Sequence, residues 1–364
     1  MKIVFVTNLP SPYRVDFFNE LSNYCELTVL YERKAALNRN SEWINKGDRK
    51  YKEWFSSSKP IKTDESIGFD LIRKIKKCDF DYLLISGYYS PSVIFLILYC
   101  QVKKIPYFIE TDGGFNKHDK WYLSTIKKLL VRKAKGIFTT CNDMIDYFRE
   151  LGYKGNIFKY PFSSIHEKEI LDKPYTKTEQ LELRNDLGIT DERIVVTVGQ
   201  FIHRKGFDIL IKAWKQFENA ATLYIIGGNP TKEYINLVNE LNLKNIKFLD
   251  FMPHDELIKY YCAADLFVFP TREDIWGLVI NEAMACGLPI ITTNRCIAGV
   301  ELVKNGQNGY IVKAESEKAL QERIFDFFSK NEAEIQDMQN KSLYFIKKYT
   351  IENMAKYHID KLTN

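Results

Sequence analysis

The chain has 364 residues, 45% of them apolar and 27% charged, a balance that excludes a disordered or low-complexity protein. That length suits two domains of roughly 150 residues better than one core. The net charge of +5 implies no nucleic-acid partner, and the longest apolar run, 93–100, falls far short of the ~20 residues a membrane span needs.

From the N-terminus, the short run I-V-F-V-T reads as a first strand over 3–7 rather than a leader peptide. Further strands are expected at 27–31, 82–86, 106–110 and 137–140, with helices at 13–23, 66–77, 91–102 and 143–151 between them. Residues 35–64 are polar and aromatic with weak periodicity and read as an irregular excursion. The rhythm breaks over 161–178, where Pro161, Pro174 and clustered charges suggest a linker. It resumes with a helix at 179–187 and strands at 194–198, 222–226, 246–249, 266–270, 289–293 and 309–312. Alternation of this kind predicts an α/β fold with parallel sheets covered by helices on both faces. The expected organisation is a Rossmann-like domain over 1–165, a second over 166–345, and a terminal helix within 346–364. Thr350 and Asn353 mark the start of that helix, and Ile351, Met354, Ala355, Ile359 and Leu362 form its apolar stripe.

Seven cysteines, scattered and never in a C-x-x-C pair, read as reduced thiols of a cytoplasmic protein. One segment departs from the average composition. Residues 117–135 hold seven Lys/Arg against Asp119, with Tyr122, Ile126, Leu129 and Leu130 at helical spacing behind Trp121. Two readings stand: a surface helix packing that stripe on its own sheet, or a basic amphipathic helix in peripheral contact with anionic membrane.

Ligands of open α/β sheets gather at the carboxyl ends of the strands, so the loops leaving those strands carry the chemistry. The loop after 194–198 reads G-Q-F-I-H-R-K-G, from Gly199 through Phe201 to Arg204, Lys205 and Gly206. Two cations before a helix N-terminus oppose its dipole unless an anion sits between them. A diphosphate satisfies that arrangement; the alternative is two solvated charges at a loop tip. The loop after 266–270 runs through Glu273, Asp274, Trp276 and Gly277 into a short helix that Gly287 and Pro289 close. Leu278 and Glu282 share a face near its start, where backbone N–H groups can bind phosphate and a carboxylate can accept from sugar or ribose hydroxyls; structural capping is the alternative for the two acids Asp274 and Glu282.

The run P-T-R-E-D-I-W-G-L-V-I-N-E-A-M-A-C-G-L-P resembles the signature of family 4 glycosyltransferases, the large retaining group with the GT-B fold. The earlier G-x-F-x-x-R-K-G and the later V-E-L-V-K-N-G-Q-N-G-Y resemble the same family, in the same order. The resemblance implies two doubly wound domains facing a cleft, with the last helix crossing to the first domain. It implies a nucleotide-diphosphate sugar donor, UDP-sugar foremost, and no other cofactor. Arg204 and Lys205 would neutralise the leaving diphosphate, and Glu282 would bind the ribose. Gly199, Phe201, Trp276, Gly277, Leu278 and Val279 would complete the donor site. Asp274 occupies the first position of the family's E-x7-E motif, here D-x7-E, with Glu273 adjacent as a substitute.

The first half resembles the family less. Asn8–Arg14 replaces the glycine-rich loop that many members carry, which leaves Tyr13 and Arg14 as acceptor-binding candidates, with a surface arginine as the alternative. After 106–110 stands Thr111-Asp112-Gly113-Gly114. Asp112 is the candidate sugar contact there, Gly113 and His118 the candidate acceptor contacts, and turn chemistry the alternative. Asp79 and Asp81 have the spacing of a metal-binding D-x-D, but they precede a strand instead of following one, so no catalytic metal is expected. The implied activity is transfer of a sugar, with retention, to a hydroxyl of a glycan or lipid-linked acceptor in cell-surface polysaccharide synthesis. The alternatives are a non-catalytic sugar- or partner-binding protein, or an epimerase or phosphorylase on the same fold.

Overall fold

The computed structural model describes residues 1–34, 47–61, 65–116 and 120–363. The chain divides into two compact units, Met1–Ser164 with Thr350–Asn364, and Ile165–Tyr349.

The first unit is built on β1 (Lys2–Thr7), β2 (Glu26–Tyr31), β3 (Lys52–Phe55), β4 (Lys59–Pro60), β5 (Ser66–Ile67), β6 (Tyr82–Ser86), β7 (Phe108–Glu110), β8 (Gly136–Thr139) and β9 (Asn156–Lys159). Seven of these form a parallel sheet in the order β3-β2-β1-β6-β7-β8-β9, while β4 and β5 pair as a small antiparallel ribbon. Val4, Phe5 and Val6 are buried on both faces of β1, as a continuous apolar run in a parallel sheet requires. Where a helix was expected from 66, Ser66–Ile67 is a strand instead and the helix covers Asp70–Ile75. The helix Pro12–Leu21 follows β1, opened by Ser11 and by proline at its first position. The final helix, Ile351–Thr363, packs on it and buries Ile351, Met354, Ala355, His358 and Leu362. Its start is capped as the sequence suggests, with Asn353 N donating to Thr350 Oγ1 at 3.2 Å.

The second unit contains β10 (Ile194–Val198), β11 (Thr222–Ile226), β12 (Ile246–Leu249), β13 (Leu266–Phe269), β14 (Ile290–Thr293) and β15 (Gly309–Val312). They form one parallel sheet in the order β12-β11-β10-β13-β14-β15. Its core gathers Phe207, Leu210, Trp214, Leu223, Val268, Ile291, Ile324 and Phe327. Each such side chain contributes about 1.5–3 kcal/mol by leaving water. In both sheets the strand order reverses once, between β1 and β6 and between β10 and β13. Those reversals leave crevices at the carboxyl ends, where loops diverge to opposite faces.

The D-x-D acids lie at the opposite edge. Asp81 accepts from Lys2 N at 2.8 Å, and Asp79 pairs with Lys2 Nζ at 2.5 Å. Lys2 opens β1, which runs parallel to β6, so both acids stand at the amino end of the sheet. All seven cysteines are free thiols, five of them buried. No helix among the described residues is long and apolar enough to cross a membrane.

Candidate functional site

Both informative loops of the second unit leave strands that flank its reversal point. After β10 the chain makes a single 3-10 turn, His203–Lys205, and passes through Gly206 into the helix Phe207–Trp214. Gly206 has φ +70°, and a Cβ there would lie 2.2 Å from the Pro270 carbonyl oxygen. Only glycine lets the two loops approach this closely. Backbone and hydroxyl bonds then tie them together: Arg272 N and Thr271 Oγ1 both donate to Arg204 O, at 2.8 and 3.0 Å.

The anion that the two cations require is supplied by the chain itself. Asp274 Oδ2 lies 2.6 Å from Lys205 Nζ and 3.3 Å from Arg204 Nη1. Arg204 Nη1 also donates to Glu273 O at 2.7 Å, while Lys205 Nζ sits 4.8 Å from the centroid of the Phe269 ring. An ammonium has three donors, so the bond to Asp274 orients Lys205 and leaves it donors for a second anion. Asp274 is itself fixed by its N–H, which donates to Arg295 O at 2.8 Å. Glu273 faces elsewhere, onto Arg295 Nη2 at 2.7 Å. Of the two neighbouring acids it is therefore Asp274 that meets the cations.

A further clamp is Arg272, which stands in the quoted run but was given no role there. Its guanidinium holds Asp208 through two bonds of 2.8 and 2.7 Å, and it donates to His203 O at 2.7 Å. Burial alone would raise the Asp208 carboxyl, but the hydrogen bonds and charge of Arg272 outweigh it and hold the group below its ordinary range. Asp208 stands in the first turn of its helix, where a carboxylate is favoured by the dipole.

Gly277, at φ +100°, caps the helix Leu278–Ala285. A Cβ there would lie 2.7 Å from Cys296 Sγ. The N–H groups of the first turn, including Leu278 and Val279, have no acceptor within the helix. Glu282 lies one turn on, and its carboxylate accepts from Tyr261 Oη at 3.2 Å. Two donor-site expectations need correction. Trp276 is 2% exposed, with Nε1 donating to Asn281 Oδ1 at 2.8 Å and its ring beside Tyr349, so it braces the turn from within. Phe201 is buried against Phe207, Tyr234 and Phe248 and belongs to the core. Gly199 closes β10, its N–H donating to Ile226 O at 2.9 Å.

The first unit has its own polar cluster at the carboxyl end of its sheet. Arg14 is 2% exposed, which overturns both the surface reading and its assignment as a direct acceptor contact. Its Nη1 meets Glu110 Oε1 at 2.9 Å, and its Nη2 bonds Asp112 Oδ1 and reaches Ser86 Oγ at 3.3 Å. These carboxylates resolve the clash between a cation and the start of its helix. Tyr13 Oη donates to Asp112 Oδ2 at 3.1 Å, so Tyr13 and Arg14 together aim the one carboxylate of the cluster that retains some exposure, at 26%. Burial first, opposed by Arg14 and reinforced by Glu110, raises the Asp112 carboxyl above its ordinary value. Gly113 and Gly114, at φ +116° and +144°, make the turn that follows. His118 lies outside the described residues.

In the segment 117–135, the helix Trp121–Val131 packs only its C-terminal end. Leu130 and Val131 are buried, whereas Trp121 is 80% and Ile126 47% exposed, and Tyr122, Leu123 and Leu129 are exposed as well. The reading in which the whole stripe packs on the sheet is therefore corrected for all but its last members.

Comparison with known proteins places this geometry. The family model described as glycosyl transferases group 1 matches residues 179–343. An uncharacterized glycosyltransferase of Methanocaldococcus jannaschii is 27% identical over 241 residues, 64% of this chain and 57% of that protein. The alpha-galactosylglucosyldiacylglycerol synthase of Streptococcus pneumoniae is 26% identical over 193 residues, 51% of this chain and 50% of that enzyme. The chain thus spans about half the length of the curated relatives it matches. The crystal structure of Anabaena Alr3699/HepE in complex with UDP shares the fold, with a TM-score of 0.77 at 18% identity over 100% of both chains. The match to the group 1 glycosyltransferase model is thus confined to 179–343, and the chain carries the GT-B fold along its length.

Proposed function

We propose that the protein is a retaining glycosyltransferase that moves a sugar from a nucleotide-diphosphate donor, a UDP-sugar, to a hydroxyl of a glycan or lipid-linked acceptor in cell-surface polysaccharide synthesis. The observation that carries this reading is the convergence of Arg204 and Lys205 on the Asp274 carboxylate, three residues before the Gly277 helix start. Asp274 orients the two cations, whose remaining N–H donors can turn to a second anion. As the bond from the anomeric carbon to the diphosphate oxygen breaks, charge grows on that oxygen, and preorganised cations and backbone N–H groups stabilise it. The acceptor oxygen bonds the anomeric carbon on the same face, and its proton passes to the departing diphosphate. Asp274 and Glu282 accept from donor hydroxyls, and the reaction needs no metal. Asp112, aimed by Tyr13 and Arg14, is the first unit's contact to a sugar.

The donor assignment draws support from HepE, which binds UDP on the same fold. The acceptor assignment draws support from the Streptococcus pneumoniae relative, named for a glycolipid product, and from the exposed apolar face of Trp121–Val131 among basic residues. That face suits the headgroup layer of an anionic membrane, and on this reading the protein works in the cytoplasm at the inner membrane surface. The test is a thermal-shift screen of UDP-, GDP- and ADP-sugars with and without EDTA. A ligand at 100 times its Kd adds about 2.7 kcal/mol. A selective UDP-sugar shift that survives EDTA supports the reading. No shift with any nucleotide refutes it, and loss with EDTA refutes its metal independence. Failure to bind vesicles containing phosphatidylglycerol at low salt refutes the membrane assignment.

A further inference from the structure

The first unit buries a titratable side chain that sugar transfer, as proposed, does not use. His358, brought in by the C-terminal helix, is fully buried and stacks on Phe138, with ring centroids 4.6 Å apart and 10° between planes. Tyr160 and Phe17 close around it at 4.7 and 5.1 Å. Its Nδ1 lies 2.8 Å from Met354 O, and its Nε2 lies 3.6 Å from Glu110 Oε1.

These contacts constrain the ring's protons. A carbonyl oxygen can only accept, so Nδ1 carries the hydrogen of the bond to Met354. A neutral ring would then turn the lone pair of Nε2 toward a carboxylate oxygen. A proton on Nε2 converts that repulsion into attraction, and it also balances the cluster. Glu110 and Asp112 are two carboxylates, and Arg14 is one cation. With the imidazolium the count closes, in a place where an unmatched charge is costly. The other polar groups facing the cluster, Tyr13, Ser86 and Tyr160, are neutral hydroxyl groups; burial first, then the charges of Glu110 and Asp112, pushes the Tyr160 phenol well up. Glu110 agrees with this arrangement. Burial pushes it up, but the charge of Arg14, the nearby His358 ring and the Arg14 hydrogen bond hold it down, to about 2.

We propose that His358 is a positioning residue. As a buried imidazolium it pins Glu110, Glu110 fixes Arg14, and Arg14 sets the orientation and charge of Asp112. The C-terminal helix is then a working part of the first unit's sugar site rather than a cap on its surface. The functional consequence rests on the assignment of Asp112 as a sugar contact; the charge state of His358 does not.

The experiment is accordingly in two arms on the full chain. The first needs no substrate: ring 15N shifts of histidine-labelled protein, with His358 identified by its loss in His358→Phe. The expected signature at neutral pH is two protonated nitrogens. Glu110→Gln should return the ring to one proton, and 13C titration of Asp112 should move upward by about one pH unit in His358→Phe. A singly protonated ring in the wild type at pH 7, or an Asp112 titration indifferent to His358, overturns the proposal. His358→Gln serves where the phenylalanine does not fold. The second arm measures turnover of the UDP-sugar that the thermal-shift screen selects. His358→Phe should lower kcat at least about tenfold, equivalent to 1.36 kcal/mol of barrier, with little change in KM for the donor. Unchanged kcat beside an intact NMR signature overturns the positioning role. No turnover by the wild type would count against the proposed function, and the first arm would still decide this one.

Discussion

Lys205 gives the sharpest test, because its two roles differ in size. Lys205→Met removes the charge and keeps the stem. On the stability side it deletes one charge-assisted bond, Nζ to Asp274 Oδ2 at 2.6 Å. Bonds of this type contribute about 1.5–3 kcal/mol. The partner is not orphaned, because Arg204 Nη1 stays 3.3 Å from the same oxygen. The loss should therefore fall at the low end, near 1–2 kcal/mol, a Tm shift of about 2–8 °C for a unit the size of Ile165–Tyr349. On the catalytic side, under the proposed function, the variant removes a donor to the departing diphosphate, and such deletions cost about 2.7–4 kcal/mol, or 10²–10³ in kcat. The assay is nucleotide release from the UDP-sugar selected by thermal shift, beside calorimetry of the same preparations. Turnover should fall by two to three decades in protein that is still folded at the assay temperature. Turnover within about threefold of wild type would refute the oxyanion reading, since that loss corresponds to well under 1 kcal/mol.

Three further outcomes are expected. Gly206→Ala should destabilise the second unit by at least about 1–3 kcal/mol, because the left-handed backbone is strained for alanine and its methyl meets Pro270 O; thermal unfolding checks it. Arg14→Met should cost the first unit about 3–5 kcal/mol by leaving Glu110 and Asp112 without their shared guanidinium, with part recovered in Arg14→Met/Asp112→Asn, as read by calorimetry. His254, whose Nε2 lies 3.1 Å from Glu169 Oε1, has its pKa raised, first by that hydrogen bond and then by nearby acids against the opposing effect of burial. A raised histidine contributes stability that is complete below its unfolded pKa of about 6.5 and disappears as pH climbs through the folded one. The pair is partly exposed, so the loss between pH 6 and pH 9 should be no more than about 1 kcal/mol, and absent in His254→Gln.

The sequence by itself determined the strand–helix alternation, the break near residue 161, and the two loops of the second unit that meet at its reversal point. Those features are local. A buried parallel strand such as Ile194–Val198 is a continuous apolar run, and a loop that must turn sharply announces itself through Gly199, Gly206 and Gly277. The family resemblance rested on the same short stretches. What the tertiary structure decided was which side chains the chain brings together from far apart. Asp274 lies 69 positions from Lys205, and Arg14 lies 96 from Glu110. No periodicity encodes either pairing. The resemblance put Asp274 at the motif position with Glu273 as a substitute, and only the folded chain shows Asp274 on the cations and Glu273 on Arg295. It could count Trp276 and Phe201 as site aromatics because aromatic rings suit both ligands and cores, and packing assigns them to the interior. Arg14 shows the difference most clearly. A cation in a first helical turn looks misplaced by local rules, and becomes favourable only when strand β7 and the turn after it bring Glu110 and Asp112 to it. Local order is written in composition and spacing, whereas the balance of buried charge is set by contacts that only the folded chain can make.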